Sequence, residues 1–323
     1  MNASAPAKII LFGEHFVVYG EPAIVLAIDK RAYATVKRRK DSRIYINSTD
    51  LEISGYFEKN RFFAECGGQE AESKLKPIKT AVQKVLGTSG KNAGITVEIH
   101  SSIPVAAGLG SSAAVVAAVA KATSHLLHVE LSKEDIFNIT LESERLVHGT
   151  PSGIDPTIAT YGGVLLFQKG KGFTRIDVKE NIPLIIGNTK IERSTGELVS
   201  MVRQKREKYP SIIKPLIKVS GKITLKAVEA LENHDFHVLG ELMNINHALL
   251  CAIGVSNEPL DKLIHAAREA GSYGAKLTGA GGGGCMIALS PPKRTKQIIE
   301  AIEKAGGKAF AVKTSDEGVR IER

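Results

Sequence analysis

The chain of 323 residues contains no tryptophan, three cysteines and few aromatic side chains. Cys66, Cys251 and Cys285 are too few and too widely spaced for a disulfide framework or a zinc site, which favours a reducing compartment. The apolar run IILF lies between Lys8 and Glu14, and it has neither the charge order nor the length of a secretory signal. We therefore expect a cytosolic protein.

Long apolar segments are also scarce. Residues 101–120 carry no charge, but Pro104, Gly108 and Gly110 dilute the first half and the alanines of the second half are only weakly apolar. No membrane association is expected, and the sequence has no repeats or low-complexity tail. A chain of this length favours two domains. We place their boundary near residue 180, which gives an N-terminal unit of residues 1–180 and a C-terminal unit of residues 181–323.

Acidic residues are outnumbered by basic ones, and the formal net charge is +9. The segment KRAYATVKRRK at residues 30–40 concentrates this charge, but it lacks interleaved aromatic residues and matches no nucleic-acid-binding motif. The pattern favours a solvated basic surface, which would raise the local concentration of small anionic substrates. Nucleic-acid binding is an alternative that only this segment supports. We expect no nucleic-acid partner.

The hydrophobic pattern predicts a mixed α and β chain. A β-meander is predicted by three β-rich segments, KIILF, AIVLAI and YATVKR, which are separated by the turn segments GEH and YGEP. The alternation of apolar and polar residues in ITVEIHSSI predicts a half-buried strand. Helices are expected at about 111–127 and 133–147, the second with Ser132 as N-cap and Asp135 in its first turn. After the strands YGGVLLF and IPLIIG the pattern is mainly helical to about residue 270. The segment AKLTGAGGGGCMIAL then predicts two strands separated by a glycine run. An amphipathic helix is expected near 293–305.

The stretch PVAAGLGSSAAVVAAVA at residues 104–120 joins a glycine turn to a helix of small residues. Such a turn lets a ligand approach the main chain, and the open N–H groups of the following helix attract anions, above all phosphate. Two alternatives remain open. One is a structural join with Ser111 or Ser112 as N-cap. The other is a dinucleotide site, because Gly108, Gly110 and Ala113 satisfy G-x-G-x-x-A, although HVEL near Glu130 is a poor second strand for it.

Two acidic residues follow this turn. Glu144 shares a largely apolar helix face with Phe137 and Leu141, so its carboxylate needs a cation. The candidates for that cation are His148 in an i,i+4 pair and a magnesium ion. Asp155, in HGTPSGIDP, is either a helix N-cap before Pro156 or a general base held by the turn that begins at Pro151. A nearby cation such as Lys8 would keep that base ionised.

Two further motifs lie in the C-terminal half. ERSTGELV contains the capping-box pattern in Ser194 and Glu197, so Thr195 has a structural explanation as well as a functional one. TGAGGGGC places five glycines in the six residues from Gly279 to Gly284. Between two strands this density indicates tight turns or the close approach of a ligand to the backbone.

Together these stretches resemble the GHMP small-molecule kinases. Three family motifs occur in the expected order, PAKIILFGEHFVVYGEPAI at 6–24, PVAAGLGSSAA at 104–114 and KLTGAGGGGCMIAL at 276–289, and ERLVHGTPSGIDPTIATYGG at 144–163 adds to them. The segment GEHFVVYG looks like that of the members that phosphorylate mevalonate. The motifs cover about a quarter of the chain but span nearly all of its length.

The resemblance implies an α+β fold of two domains, an N-terminal domain related to a ribosomal-protein fold and a ferredoxin-like C-terminal domain, with the active site in the cleft between them. It also implies phosphorylation of the C5 hydroxyl of mevalonate in isoprenoid synthesis, with ATP as co-substrate and Mg²⁺ as cofactor. A homodimer is expected from the family alone.

The same resemblance implies roles for individual residues. Lys8 would stabilise the transferred phosphoryl group and Asp155 would deprotonate or orient the hydroxyl, while Ser112 and Glu144 would bind magnesium. Glu14, His15, Thr195 and Gly281 would contact mevalonate, and Gly279 to Gly284 would close around the phosphate-binding loop. The residues implied to hold the phosphates of ATP are Pro104, Ala106, Ala107, Gly108, Leu109, Gly110, Ser111, Ser112 and Ala113.

Other functions remain as alternatives. Within the family, the alternative is a kinase for phosphomevalonate or another small alcohol. The related diphosphomevalonate decarboxylases fit less well, because we expect them to lack a lysine at the position of Lys8 and the segment GEHFVVYG. From a different class, the G-x-G-x-x-A match would suit a nicotinamide-dependent oxidoreductase.

Overall fold

The computed structural model describes residues 1–59, 61–104, 107–148, 152–192 and 194–322, apart from the side chains of Gln69, Val147 and His148. The strands are β1 (Asn2–Phe12), β2 (Ala23–Arg39), β3 (Ile44–Ser48), β4 (Ile53–Glu58), β5 (Arg61–Cys66), β6 (Gly94–Ser101), β7 (Val164–Gln168), β8 (Gly172–Arg175), β9 (Leu184–Asn188), β10 (Gly274–Leu277), β11 (Cys285–Leu289), β12 (Lys308–Val312) and β13 (Arg320–Glu322).

The helices complete the α+β architecture. They are α1 (Ala71–Ser89), α2 (Ser111–Leu127), α3 (Lys133–His148), α4 (Ile154–Tyr161), α5 (Thr195–Lys208), α6 (Pro210–Glu232), α7 (Phe236–Ile253), α8 (Glu258–Glu269) and α9 (Thr295–Lys304). Short 3-10 helices span His15–Tyr19, Gly68–Glu70 and Pro292–Arg294.

The larger sheet has nine strands in the order β13-β1-β2-β6-β3-β4-β5, with β7 paired to β2 and β8 to β7. β3 and β6 are parallel, and the other pairs are antiparallel. Helices α2 and α4 both pack on β1, which is buried from Ala3 to Phe12. The alanines of α2 explain this close approach, because small side chains let a helix backbone lie near a sheet.

The smaller sheet is antiparallel, in the order β10-β11-β9-β12. Helices α7, α8 and α9 pack against it and α6 packs on α7. Among the described residues, α7 is the one helix with the length and composition of a membrane span. It contacts α6 and β10 through buried side chains such as Leu239 and Met243, as the core helix of a globular protein does.

Most predicted elements are confirmed. ITVEIHSSI forms β6, the helices predicted at 111–127 and 133–147 are α2 and α3, and the glycine run lies between β10 and β11. Ser132 caps α3 as expected, since its hydroxyl accepts the N–H of Asp135 and the Asp135 carboxylate accepts the N–H of Ser132. One expectation is wrong in detail, because YATVKR is no separate strand. It continues AIVLAI in the single 17-residue strand β2, which pairs with β1, β6 and β7 in turn.

The dinucleotide-binding alternative is wrong. It requires a strand after α2, and HVEL was the candidate for that strand. In the structure residues 129–132 have no regular secondary structure, and the chain runs from α2 directly into α3. The domain boundary near residue 180 stays a prediction. It falls between β8 and β9, where the strands change sheet, but the last strand, β13, returns to the larger sheet beside β1.

Candidate active site

The glycine turn at residues 107–110 leads into α2 without a side-chain cap. Gly110 is the N-cap residue, with φ of +75°, and among the described residues no side chain caps the first turn of the helix. The alternative in which Ser111 or Ser112 caps α2 is therefore wrong. The amides at this helix end are open to a ligand, the arrangement that binds phosphate. Gly108 and Ser112 are exposed and Ala107 and Leu109 are buried, whereas Ala106 lies outside the described residues.

A cavity of about 1010 Å³ opens beside this turn. Gly108, Ser111 and Ser112 lie at its wall, together with residues from α1, the ends of β3 and β6, and Thr195. Apolar side chains such as Ile78 and Val116 line other parts of it. The volume is at the upper end of what small-molecule sites use, and the combination of open amides with apolar walls suits a nucleotide.

Lys8 and Asp155 meet behind the glycine turn. Lys8 Nζ lies 2.9 Å from Asp155 Oδ1, as the sequence-based hypothesis required. The backbone N–H of Lys8 donates to the carbonyl of Leu109 at 2.8 Å, which fixes β1 against the turn. A Cβ at Gly110 would lie 2.7 Å from Lys8 Cγ and 3.6 Å from Asp155 Cγ, so a glycine is required for this approach.

Asp155 lies in the first turn of α4 and is not its N-cap. Gly153 holds that position, with φ of +86°, and Asp155 is the second residue of the helix. The N-cap alternative for Asp155 is therefore wrong. A carboxylate in a helix's first turn is stabilised by the open N–H groups and the helix dipole. The side chain is 30% exposed, which leaves it accessible to a substrate, and Pro151 lies outside the described residues.

Glu144 is buried on α3 close to both of these groups. Burial and the negative charge of Asp155 raise the pKa of Glu144 to about 8, and the positive charge of Lys8 opposes them. Lys8 therefore supplies only part of the positive charge that the Glu144 carboxylate needs. The predicted pairing of Glu144 with His148 cannot be described, because the His148 side chain lies outside the described residues. Two neighbouring carboxylates and the exposed Ser112 hydroxyl are hard oxygen donors of the kind that Mg²⁺ prefers. These residues fit a magnesium ion.

The first motif contributes a buried ion pair that the sequence did not reveal. Glu14 and Lys276 form this pair with fully buried side chains, and Lys276 Nζ also donates to the Leu277 carbonyl at 2.7 Å. Burial raises the pKa of Glu14, while Lys276 opposes that rise. Glu14 Oε2 has no hydrogen-bond partner within the described part of the chain. The sequence signal that could have indicated this pair is Lys276, a lysine that lies between apolar strand residues just before the glycine run.

His15 connects the first motif to the glycine run. Its Nε2 atom lies 2.7 Å from the carbonyl oxygen of Ala280. Thr278 adds a second connection, since its hydroxyl donates to the Ile10 carbonyl at 2.8 Å. A Cβ at Gly281 would lie 1.9 Å from the Val255 carbonyl oxygen, so this segment also packs tightly on the loop before α8. Closure of the glycine run around the phosphate turn stays a prediction.

Thr195 is the first residue of α5 and reaches the cavity wall. Ser194 is its N-cap, and the Ser194 hydroxyl accepts the N–H of Glu197 at 3.4 Å. The Ser194 half of the predicted capping box is confirmed. Thr195 is exposed and lines the same cavity as Ser112 and Gly108, where it could contact a bound ligand.

Comparisons with known proteins match the whole chain to one family. The model described as GHMP kinases N terminal domain matches residues 76–163, and the one described as GHMP kinases C terminal matches residues 227–309. The mevalonate kinase of Pyrococcus abyssi is 46% identical over 99% of this chain and 97% of its own length. That of Aeropyrum pernix is 36% identical over 99% of this chain and 98% of its own length.

Solved structures show the same fold. The L. major mevalonate kinase in complex with R-mevalonate has a TM-score of 0.84 at 29% identity and covers 98% of this chain and 97% of its own. The Methanococcus jannaschii mevalonate kinase has a TM-score of 0.82 at 28% identity, with 98% of both chains covered. The chain has the two-domain α+β fold of these kinases, and it belongs to the GHMP kinase family, in the branch of the mevalonate kinases.

Proposed function

We propose that the protein transfers the γ-phosphoryl group of ATP to the C5 hydroxyl of mevalonate. The relatives that are 46% identical over nearly the full length are mevalonate kinases, which supports this acceptor. The observation that carries the chemistry is the Lys8–Asp155 pair, 2.9 Å apart, directly behind an uncapped helix end. Phosphoryl transfer needs positioning and charge neutralisation more than covalent work, and this arrangement offers both.

The nucleotide would lie in the cavity with its phosphates on the turn. Open amides from Gly108 to Ala113 would donate to the phosphate oxygens, each such charge-assisted bond contributing roughly 1.5–3 kcal/mol. Pro104, Ala106 and Ala107 would shape the entry to the turn, and the apolar cavity walls would receive the base. Ser112 and Glu144 would hold Mg²⁺, which when bound neutralises charge on the phosphates.

Asp155 would handle the proton of the acceptor. Its partly exposed carboxylate accepts the proton of the C5 hydroxyl as that oxygen attacks phosphorus, and the bond to the leaving oxygen of ADP breaks. Lys8, next to Asp155, would hold the carboxylate in place and place positive charge beside the transferred group. Both roles of Lys8 require a site from which water is largely excluded, and the Lys8 side chain is only 10% exposed.

The substrate pocket is proposed to include His15, Thr195 and the backbone at Gly281. His15 is held by Ala280 at the junction of the two sheets, and Thr195 lies on the cavity side of α5. Glu14 stays proposed as a substrate contact on the family resemblance alone, because its side chain is fully buried beside Lys276 in this structure. A cytosolic location, a homodimer and the lack of a nucleic-acid partner stay predictions.

A panel of acceptors tests the proposal. ADP release would be measured with Mg²⁺ and ATP in the presence of mevalonate, phosphomevalonate, galactose or homoserine. We expect turnover with mevalonate and at most weak turnover with the others. Turnover with phosphomevalonate but not mevalonate would instead support the alternative of a phosphomevalonate kinase.

A further inference from the structure

A cluster of three side chains of the types that bind metal ions lies at the junction of α7 and α8. His247 and Cys251 are one helical turn apart on α7, and Asp261 comes from the first turn of α8. Their nitrogen, sulfur and oxygen atoms all lie within 4.8 Å of one another. The spacing of the three cysteines argued against a zinc site, but the fold supplies Cys251 with a histidine and a carboxylate.

Two of the three distances within this cluster are close to those between ligands of one tetrahedral metal ion. His247 Nε2 is 3.5 Å from Cys251 Sγ and 3.2 Å from Asp261 Oδ1. Tetrahedral zinc, with its usual bond lengths, would set these separations at ~3.6 Å and ~3.3 Å. The third separation, 4.0 Å between Cys251 Sγ and Asp261 Oδ1, would have to shorten by about 0.5 Å. The Asp261 side chain is half exposed, which leaves room for that adjustment.

The backbone around the cluster is rigid. Gly254 ends α7 in a left-handed conformation, and the N–H of Val255 donates back to Leu250 at 3.1 Å. Asn257 then caps α8 by accepting the N–H of Leu260. The Ser256 hydroxyl donates to Asp261 Oδ1 at 2.5 Å, which orients the carboxylate as the outer hydrogen bonds of metal sites do.

The cluster combines one buried candidate ligand with two exposed ones. His247 is buried, and its Nε2 atom faces both Cys251 Sγ and Asp261 Oδ1. The Cys251 thiol would release its proton to solvent when the metal–sulfur bond forms. Cys251 and Asp261 are both exposed, which gives the ion an entry path and leaves a fourth position for water.

We propose that His247, Cys251 and Asp261 bind one borderline-soft divalent metal ion, with Zn²⁺ as the preferred class, in a site open to water. A thiolate and an imidazole select such an ion over Mg²⁺, which prefers oxygen ligands, so this site is chemically separate from the proposed magnesium site. His247 Nδ1 is buried and has no hydrogen-bond partner among the residues described here. We therefore expect an affinity ~10- to 100-fold weaker than that of a site whose histidine is fully supported.

The experiment is a cobalt titration of the full-length, chelator-treated protein in excess Mg²⁺, which keeps the oxygen-rich sites occupied. Co²⁺ bound to a cysteine gives a thiolate-to-metal charge-transfer band in the near ultraviolet. We expect this band to saturate at one Co²⁺ per chain, and Zn²⁺ to abolish it by displacement. No band, or a band that needs several ions per chain, would overturn the proposal.

Variants assign the ligands. Cys251→Ser should remove the band, and Asp261→Asn should weaken binding at least ~10-fold, while Cys66→Ser, which removes the other exposed thiol, should change neither. Thermal melting without metal checks that each variant is folded, and Zn²⁺ should raise the melting temperature of the unmodified protein but not that of Cys251→Ser. A band that survives Cys251→Ser, or binding unaffected by Asp261→Asn, would contradict the three-ligand site.

Discussion

Three ionisable side chains carry the proposed chemistry at the residue scale. Lys8 and Asp155 form a close pair, and Glu144 is buried beside them with a raised pKa of about 8. Without metal, the raised pKa favours the protonated form of Glu144. A divalent cation would change that balance by favouring the ionised carboxylate, which links metal binding to proton release.

The first prediction concerns Asp155. Asp155→Asn should lower kcat by at least ~100-fold, because an amide cannot accept the hydroxyl proton, while ATP binding is retained. Steady-state kinetics and a nucleotide-binding titration measure the two effects. Asp316→Asn, at a side chain that is 90% exposed and paired with Arg175, is the matched control and should leave both unchanged. Near-normal turnover in Asp155→Asn would show that the carboxylate only shapes the start of α4.

The second prediction concerns Glu144 in metal-free protein. Its pKa rises from 4.5 to about 8 on folding, so the folded chain binds more protons than the unfolded chain between these pH values. Its contribution to stability is therefore lost as pH rises from about 5 to about 8, and levels off above. Melting curves in a chelator should show that fall, and Glu144→Gln should reduce it.

The control for this prediction is Glu142→Gln on the same helix. Glu142 is half exposed and pairs with Lys84 on α1, so the substitution should leave the pH dependence as it is in the unmodified protein. Identical pH profiles for Glu144→Gln and the unmodified chain would show that Glu144 is ionised in the folded protein. Metal binding at Glu144 would then release no proton, contrary to the link described above.

At the element scale, periodicity predicted helices and strands well, but it did not identify the capping residue of every helix. Helices α2 and α3 match the predicted ranges because the apolar pattern is long and the Ser132 cap is local. Two alternatives for caps, Asp155 on α4 and Ser111 or Ser112 on α2, are wrong for one reason. Gly153 and Gly110 adopt left-handed conformations that begin these helices without a side chain, and nearby polar residues are left for a ligand.

The third prediction tests the phosphate turn as an element. Gly110→Ala should abolish most activity and weaken nucleotide binding, because the new Cβ would lie 2.7 Å from Lys8 Cγ in addition to straining a φ of +75°. Gly90→Ala is the matched control, since Gly90 has φ of +63° and open space around the added atom. Both variants carry a strain of roughly 1–2 kcal/mol. Equal activities of the two would show that Gly110 serves the backbone conformation alone.

At the scale of the whole molecule, the contacts that sequence could not predict are those between distant segments. Glu14 and Lys276 are 262 residues apart, and β13 closes the large sheet beside β1 from the far end of the chain. Arg31, part of the basic segment expected to be solvated, is instead buried and donates to the carbonyl of Gly318 at 2.6 Å. Local patterns indicate burial and turns, but they do not say which buried residue faces which.

The fourth prediction concerns the ion pair between the two sheets. Lys276→Met should lower the free energy of unfolding by about 3–5 kcal/mol, because it leaves the buried Glu14 carboxylate without its cation. Lys37→Met is the matched control, since its pair with Glu98 is exposed and should contribute less than about 1 kcal/mol. Urea denaturation measures both. Similar losses in the two variants would mean that the buried pair does not hold the sheets together.

The central claim is that the open amides of residues 108–113 hold the triphosphate so that it points at an alcohol beside Asp155. A crystal structure with a non-hydrolysable ATP analogue, Mg²⁺ and mevalonate tests this most directly. We predict phosphate oxygens against the amides of the glycine turn and the C5 hydroxyl within hydrogen-bond distance of the Asp155 carboxylate. A nucleotide bound elsewhere with the turn empty, or a C5 hydroxyl directed away from Asp155, would contradict the account.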